Sequence, residues 1–297
     1  MVGFEKVNKF VLRDFSLYIP KGERVGLMGE PGSGKTTLLK LACGLLVPEN
    51  GSVRVLGEAP FYWRRNFPPV ISAYFVGVPL LDRNDTVRQG FELVRSIYRI
   101  PESVFWEDYQ ELSRRMDFFA FEHKSVKELS LGQRVRAELS AALIVKPKLL
   151  LLDEPNAGLD ENGKMALCEI LTERGQQGLT VVTATSDMVG LAKLCTRFVL
   201  LKNGKAAFYG SGERLRSQYV PADRMTVLLD GKLPDFEDLP VMQYRIDGKW
   251  LTLFYNSNHV TAAEIIKCIL TQSNVLEVKI QKPTLESMEF MKKMEPS

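Results

Sequence analysis

The octapeptide GEPGSGKT at residues 29–36 follows the apolar run RVGLM and leads into the helical pattern KTTLLKLACGLL. It matches G-x-x-x-x-G-K-[ST], in which backbone N–H groups and the following helix N-terminus bind phosphate oxygens. In such a loop Lys35 neutralises the outer phosphates and Thr36 offers its hydroxyl to Mg²⁺. A chance glycine turn is the weaker alternative, because the flanking strand and helix are in place. The predicted phosphate-binding residues are Gly29, Glu30, Pro31, Gly32, Ser33, Gly34, Lys35, Thr36 and Thr37.

Two acidic residues end a second apolar run. KPKLLLLDEP does not alternate, which is typical of strands covered on both faces of a parallel sheet. Its last residues include Asp153 and Glu154, and two adjacent carboxylates are unfavourable unless a cation is near. We expect Asp153 to bind Mg²⁺ and Glu154 to polarise an attacking water. Taken alone, such a pair is equally compatible with a helix cap.

A third motif, LSLGQ at residues 129–133, lies between the first two and opens the helical pattern LGQRVRAELSAAL. On its own it could be a capping sequence. In this order, and followed by NAGLD at residues 156–160, the motifs resemble those of the ATP-binding cassette (ABC) family over about residues 4–213. The resemblance implies an α/β fold, the P-loop NTPase cassette, with a mixed sheet core and a helical signature subdomain at about residues 79–145.

The resemblance also implies a head-to-tail pair of cassettes with ATP bound between them. The phosphate loop of one cassette would face Ser130, Gly132 and Gln133 of the other, where a helix N-terminus presents donors to the γ-phosphate. The second cassette is either a copy of this chain or a different one. Asp160 would lie at the interface of the pair, an ordinary turn residue being the alternative.

Relatives stack an aromatic residue near the N-terminus on adenine. Phe4 is the first candidate here and Phe10 the second, and either could instead belong to the core. Relatives also carry a further strand upstream, so we expect this N-terminus to be short.

Two expected side chains are missing. The strand LTVVTAT at residues 179–185 ends in relatives with a histidine that contacts the γ-phosphate, and here Ser186 aligns with it. The glutamine that contacts Mg²⁺ and the membrane partner is replaced by Gly77 or Val78. Because losing one preorganised donor to transition-state charge slows a reaction by about 10²- to 10³-fold, we expect ATP binding with slow hydrolysis. Ser186 and Glu154 are the catalytic candidates.

Beyond about residue 213 the pattern changes to short alternating strands, a helix, a strand and a last helix, TLESMEFMKK. We expect residues 1–213 to form the cassette and residues 214–297 a small C-terminal α+β domain. Together with WRRNF and FELVRSIYRIP, the chain end LEVKIQKPTLESMEF resembles ATPases that pair with permeases of the ABC-2 exporter type. The stretch from Phe61 to Leu93 would contain the surface that receives the permease. Three aromatic residues are candidate contacts, a packed helical subdomain being the alternative: Phe61, Tyr62 and Trp63.

Composition limits the partners. A net charge of +3, from 39 basic and 36 acidic residues, gives no electrostatic reason to expect nucleic acid. No segment approaches the roughly 18 uncharged apolar residues of a membrane span. We therefore expect a cytoplasmic chain, peripheral on the cytoplasmic face of the cell membrane through a polytopic permease. Two alternatives stay open, a catalytically weak regulatory clamp and a soluble cassette without transport. Four scattered cysteines fit a reducing cytoplasm: Cys43, Cys168, Cys195 and Cys268.

Overall fold

A computed structural model of the protein describes residues 1–65, 71–219, 223–231, 233–235, 241–257 and 259–281. The chain divides into two compact units, Met1–Ser211 and Gly212–Ser297. The strands of the first unit are β1 Val2–Lys9, β2 Leu12–Ile19, β3 Arg24–Met28, β4 Asn50–Val55, β5 Ile71–Phe75, β6 Leu149–Asp153, β7 Thr180–Ala184, β8 Arg197–Lys202 and β9 Lys205–Ser211. Its α-helices are α1 Lys35–Ala42, α2 Val87–Tyr98, α3 Glu102–Arg115, α4 Leu131–Ile144, α5 Glu161–Gln176 and α6 Met188–Leu194.

These strands form two sheets within the described ranges of the first unit. A three-stranded antiparallel sheet has the order β2-β1-β4, and a six-stranded sheet has the order β5-β6-β7-β3-β8-β9. In the larger sheet all neighbouring strands are parallel except β8 and β9. All side chains of β6 and β7 are buried, which explains why their sequences do not alternate. The mixed sheet confirms the predicted α/β class.

The order of the strands brings three predicted motifs to one edge of the sheet. β7 lies between β6 and β3, so that Ala184 is level with Asp153 on one side and Leu27 on the other. Parallel strands end at the same edge, where α/β proteins bind their ligands. The phosphate loop after β3, Glu154 after β6 and the turn after β7 therefore lie side by side.

Helices α2, α3 and α4 follow β5 and precede β6 in the sequence. Helix α4 packs against both α2 and α3. Residues 86–117 form two helices, because Arg99 has a left-handed φ of 52° and Pro101 cannot continue the hydrogen-bond ladder. Aromatic rings fill the space between them, and Phe91 stacks on Phe118 with 5.1 Å between centroids. None of the helices in the described part of the chain is both long and apolar enough to cross a bilayer.

The second unit contains α7 Gly212–Tyr219, β10 Asp223–Asp230, β11 Val241–Asp247, β12 Trp250–Tyr255, α8 Ala262–Gln272 and β13 Asn274–Gln281. Its described strands form an antiparallel sheet in the order β11-β12-β10-β13. One face of this sheet packs on α8, with Val227, Leu253 and Ile265 fully buried between them. The predicted strands and the helix before β13 are thereby confirmed. The predicted last helix at residues 284–293 lies outside the described residues.

Candidate functional site

The side chain of Lys35 folds back onto the phosphate loop and contacts its backbone. Lys35 Nζ donates to the carbonyl oxygens of Gly29 at 2.8 Å and Glu30 at 3.0 Å. Gly34 has a φ of 104°, and a Cβ there would lie 2.8 Å from Leu12 Cδ2, so this position requires glycine. No side chain caps the start of α1, which leaves its first N–H groups to an anion. Pro31 and Gly32 form the exposed tip of the loop, and Thr37 is half-buried in the first turn of α1.

The two predicted metal ligands are in direct contact. Thr36 Oγ1 donates to Asp153 Oδ2 at 2.9 Å and lies 3.2 Å from Oδ1. Burial raises the pKa of the Asp153 carboxyl, the Thr36 hydrogen bond opposes this, and the Glu154 charge adds to it. The Ser33 hydroxyl nearby is buried without a hydrogen-bond partner. Adjacent hydroxyl and carboxylate oxygens, beside a loop with an unsatisfied buried donor, fit a Mg²⁺ ion with bound phosphates.

Glu154 is fixed at both its backbone and its carboxylate. Its φ is 50°, and its N–H donates to the carbonyl oxygen of Ala184 at 2.7 Å. The carboxylate accepts from Thr185 Oγ1 at 2.6 Å and from the backbone N–H of Ser186 at 2.7 Å. The Ser186 side chain is exposed. Ser186 therefore contacts Glu154 through its backbone N–H.

Sequence reasoning missed Thr185. The available signal was a hydroxyl residue at the end of a fully buried strand, directly before Ser186. A buried hydroxyl needs a hydrogen-bond partner, and the carboxylate of the neighbouring strand end is within reach.

The signature residues form a second cluster with the segment that follows β6. Ser130 and Gln133 make a capping box at the start of α4, each side chain accepting from the other's backbone N–H. A Cβ on Gly132 would lie 2.9 Å from the carbonyl oxygen of Gly158, so the two glycines allow close approach. Asp160 caps α5 by accepting from the N–H of Gly163 at 2.8 Å.

Asp160 also connects α5 to α4, the signature helix, which begins at the signature residues. Its Oδ1 lies 2.6 Å from the Arg136 guanidinium. The Gly163 hydrogen bond, and then the Arg136 side chain, lower the pKa of the Asp160 carboxyl. Within its own chain Asp160 is thus a helix cap and an ion-pair partner.

Phe4 is not available to stack on a base, which corrects the first choice made from the sequence. It is 6% exposed and packs edge-on against Phe15 in the core, because β1 buries alternate residues. Phe10 is 58% exposed in the turn between β1 and β2. The next residue, Val11, has its Cγ2 3.2 Å from where a Cβ on Gly34 would lie. The second choice therefore sits on a turn that touches the phosphate loop.

The segment after β5 contains Gly77 and Val78, the predicted replacements of a glutamine. Gly77 adopts a φ of 79°, and the N–H of Val78 donates back to the carbonyl oxygen of Phe75 at 3.0 Å. The chain therefore turns tightly there. Gln89 is used elsewhere, as the partner of Thr86 in the capping box of α2.

Comparison with known proteins shows similarity to the ATP-binding proteins of ABC transporters. The family model described as ABC transporter matches residues 12–157. A putative ABC transporter ATP-binding protein of Methanosarcina acetivorans is 33% identical over 228 residues, which is 73% of this chain and 77% of that protein. The ABC transporter ATP-binding protein NatA of Bacillus subtilis is 29% identical over 211 residues, covering 71% and 85% respectively.

A solved dimeric ATP-binding cassette, in a post-hydrolysis state with ADP and Pi, superposes with a TM-score of 0.62. It is 25% identical, and the match covers 71% of this chain and 98% of that one. The glucosylceramide transporters ABCA12 of mouse and man are 29% identical over 218 residues, but the chain spans only 8% of their length. With its phosphate loop, acidic strand end and signature segment in place, the chain belongs to the ABC transporter family, among its ATP-binding proteins.

Proposed function

We propose that this chain is the ATP-hydrolysing subunit of an ABC transporter of the ABC-2 exporter type. In this proposal the ATP-driven pairing of two cassettes acts on a membrane permease. The observation that carries the proposal is the contact of Thr36 with Asp153, beside the phosphate loop and next to Glu154. Such an arrangement places oxygen ligands, phosphate donors and a carboxylate within one small site.

Each residue at the sheet edge has a separate task in binding. The loop N–H groups and Lys35 hold the triphosphate, and Thr36 and Asp153 supply oxygen ligands to the metal. Mg²⁺, when present with ATP, neutralises phosphate charge. Phe10 stacks on the base, since its exposed ring lies on the turn that touches Gly34.

Hydrolysis depends on Glu154. Its carboxylate accepts two hydrogen bonds from the turn after β7 and has further lone pairs with which to orient a water. Ser186 has a short side chain, which cannot supply the γ-phosphate contact of an imidazole. Slow turnover therefore follows from the loss of one preorganised donor, a loss of about 10²- to 10³-fold where it has been measured in enzymes.

The second half of the nucleotide site comes from another cassette. Ser130 accepts one backbone hydrogen bond within its capping box, so its hydroxyl proton remains able to donate outward. The N-terminus of α4 adds a partial positive charge at the same place. Both features suit a γ-phosphate presented by the phosphate loop of the partner cassette.

The permease docks on the surface that begins at Phe61, and this contact holds the chain at the cytoplasmic face of the membrane. Phe61 is 40% exposed and Tyr62 is 82% exposed, with 5.7 Å between the ring centroids. They line a cavity of about 360 Å³ together with Val47, which is 43% exposed. Exposed apolar groups clustered in this way are typical of a protein interface. The side chain of Trp63 lies outside the described residues.

A steady-state ATPase assay on the purified chain tests the enzymatic part of the proposal. We expect slow hydrolysis that Glu154→Gln lowers by about 10²-fold, to a small residual rate, while Mg·ATP binding is kept. A second candidate, the nucleotide-gated regulatory clamp, is favoured by Ser186 and by the glutamine-free turn at Gly77. It predicts Mg·ATP binding with no hydrolysis above that of the Glu154→Gln variant.

Extraction of membranes with mild detergent tests the transport part. The expected result is a complex of this chain with a polytopic membrane protein. Recovery of the chain with ribosomes or nucleic acid, and without a membrane protein, would support a cassette that does not take part in transport.

A further inference from the structure

The turn after β7 presents two hydrogen-bond donors to Glu154. The hydroxyl of Thr185 reaches Oε2 at 2.6 Å, and the backbone N–H of Ser186 reaches Oε1 at 2.7 Å. Each carboxylate oxygen therefore has one fixed donor. A carboxylate offers about four acceptor sites, so two stay open for a water.

The direction of the Thr185 hydrogen bond is determined by its surroundings. Thr185 is 2% exposed, which excludes bulk water as a routine partner. The backbone N–H of Asp187 donates to Thr185 Oγ1 at 3.0 Å and occupies one of its lone pairs. The hydroxyl proton is left for Glu154, whose Oε2 accepts it.

The turn that carries these donors is anchored on its far side. Asp187 caps α6 by accepting from the N–H of Gly190 at 2.9 Å, and it accepts from Asn156 Nδ2 at 3.1 Å. A Cβ on Gly190 would lie 1.9 Å from Asn156 Nδ2, so glycine is required for this contact. Thr185 is thus held between the strand β7 and a fixed helix start, and its hydroxyl has little freedom.

We propose that Thr185 is a positioning residue for ATP hydrolysis, acting through Glu154. It holds the Glu154 carboxylate in one orientation, so that the open lone pairs face the attacking water. In this chain Thr185 and the Ser186 backbone together supply part of the ordering that relatives obtain from histidine. The inference rests on the proposed ATPase function and deepens it.

The test compares Thr185→Val and Thr185→Ser in the full-length chain, with Thr183→Val as the matched control. Thr183 is a buried threonine of β7, two residues before Thr185. We expect Thr185→Val to lower kcat about tenfold, the effect of losing one charge-assisted hydrogen bond. KM and the Kd for Mg·ATP should stay within about twofold, since no contact with nucleotide is removed. Thr185→Ser should restore most of kcat, and Thr183→Val should leave kcat unchanged.

A double-variant cycle separates positioning from a general structural effect. In the Glu154→Gln background, Thr185→Val should change the residual rate less than about twofold, because its effect passes through Glu154. An equal loss in both backgrounds, or a Thr185→Val kcat that equals or exceeds the wild-type value, overturns this proposal alone. A wild-type chain that binds Mg·ATP but does not hydrolyse it overturns the proposed ATPase function, and this proposal with it.

Discussion

The sequence predicts that Ser186 replaces a histidine of relatives, and in this structure its exposed side chain leaves the Glu154 contact to the backbone N–H. Replacing Ser186 with histidine adds a donor that can reach the γ-phosphate without removing that N–H. We predict that Ser186→His raises kcat about 10²-fold. A steady-state assay at saturating Mg·ATP measures it. Equal turnover in wild type and Ser186→His, lowered strongly in both by Glu154→Gln, would show that hydrolysis at this site does not depend on a histidine.

The two aromatic candidates near the N-terminus give opposite predictions. Phe10→Ala should weaken Mg·ATP binding about five- to tenfold, the value of one aromatic stacking contact, with little change in stability. Phe4→Ala should lower the free energy of unfolding by about 3–5 kcal/mol, because it opens a cavity in the core. Urea unfolding and equilibrium nucleotide binding, measured on both variants, distinguish the roles. Weaker binding in a stable Phe4→Ala protein, with normal binding in Phe10→Ala, would reverse the assignment.

Motif chemistry made the phosphate loop and the acidic pair predictable residue by residue. The Phe4 choice was wrong although a signal was present, since Val2 and Phe4 alternate like the buried face of a strand. Thr185 was not predictable in the same way. Its importance depends on which strand lies next to β6, and neighbours in a parallel sheet are distant in sequence.

Helix α4 carries a buried acid that is not among the predicted nucleotide-site residues. Glu138 is 4% exposed. Burial raises the pKa of its carboxyl, while Arg134 and the backbone N–H of Leu80 oppose this effect. Burial of the Glu138 carboxyl therefore disfavours its ionised form.

The raised pKa of Glu138 predicts how stability depends on pH. The folded chain binds this proton more tightly than the unfolded chain, so stability falls as pH rises from about 4.3, the ordinary glutamate pKa, through the folded value. Glu138→Gln removes this loss and keeps an acceptor for Leu80. We predict that the Tm difference, variant minus wild type, is more positive at pH 8 than at pH 4. A difference independent of pH, or one of opposite sign, would contradict the burial argument.

Most helices and strands were predictable from periodicity and run length. The division of residues 86–117 into two helices follows from one left-handed residue, Arg99, and from Pro101. The order of the strands was not readable from the sequence. It follows from packing between segments that are more than a hundred residues apart, such as β3 and β7.

In the proposed function, one chain carries both halves of a nucleotide site, and a second cassette completes it. Glu154→Gln should trap Mg·ATP and give a dimer by sedimentation. Adding Ser130→Asp should abolish the dimer, because its charge opposes the γ-phosphate. Ser130→Asn is the matched control, since asparagine caps a helix as well as aspartate. A dimer that survives Ser130→Asp would contradict this geometry, and a chain that stays monomeric would indicate a different second cassette.

Equilibrium binding of Mg·ATP to the purified chain tests directly whether the phosphate loop at residues 29–36 binds nucleotide. The phosphate loop is predicted to be the binding site, so the wild-type chain should bind with saturation and Lys35→Ala should bind at least about tenfold more weakly. Lys249→Ala is the matched control, because this lysine pairs with Asp230 on the surface of the second unit. It should bind like wild type. Equal affinity of wild type and Lys35→Ala, or no binding by either, would show that the phosphate loop is not a nucleotide-binding site.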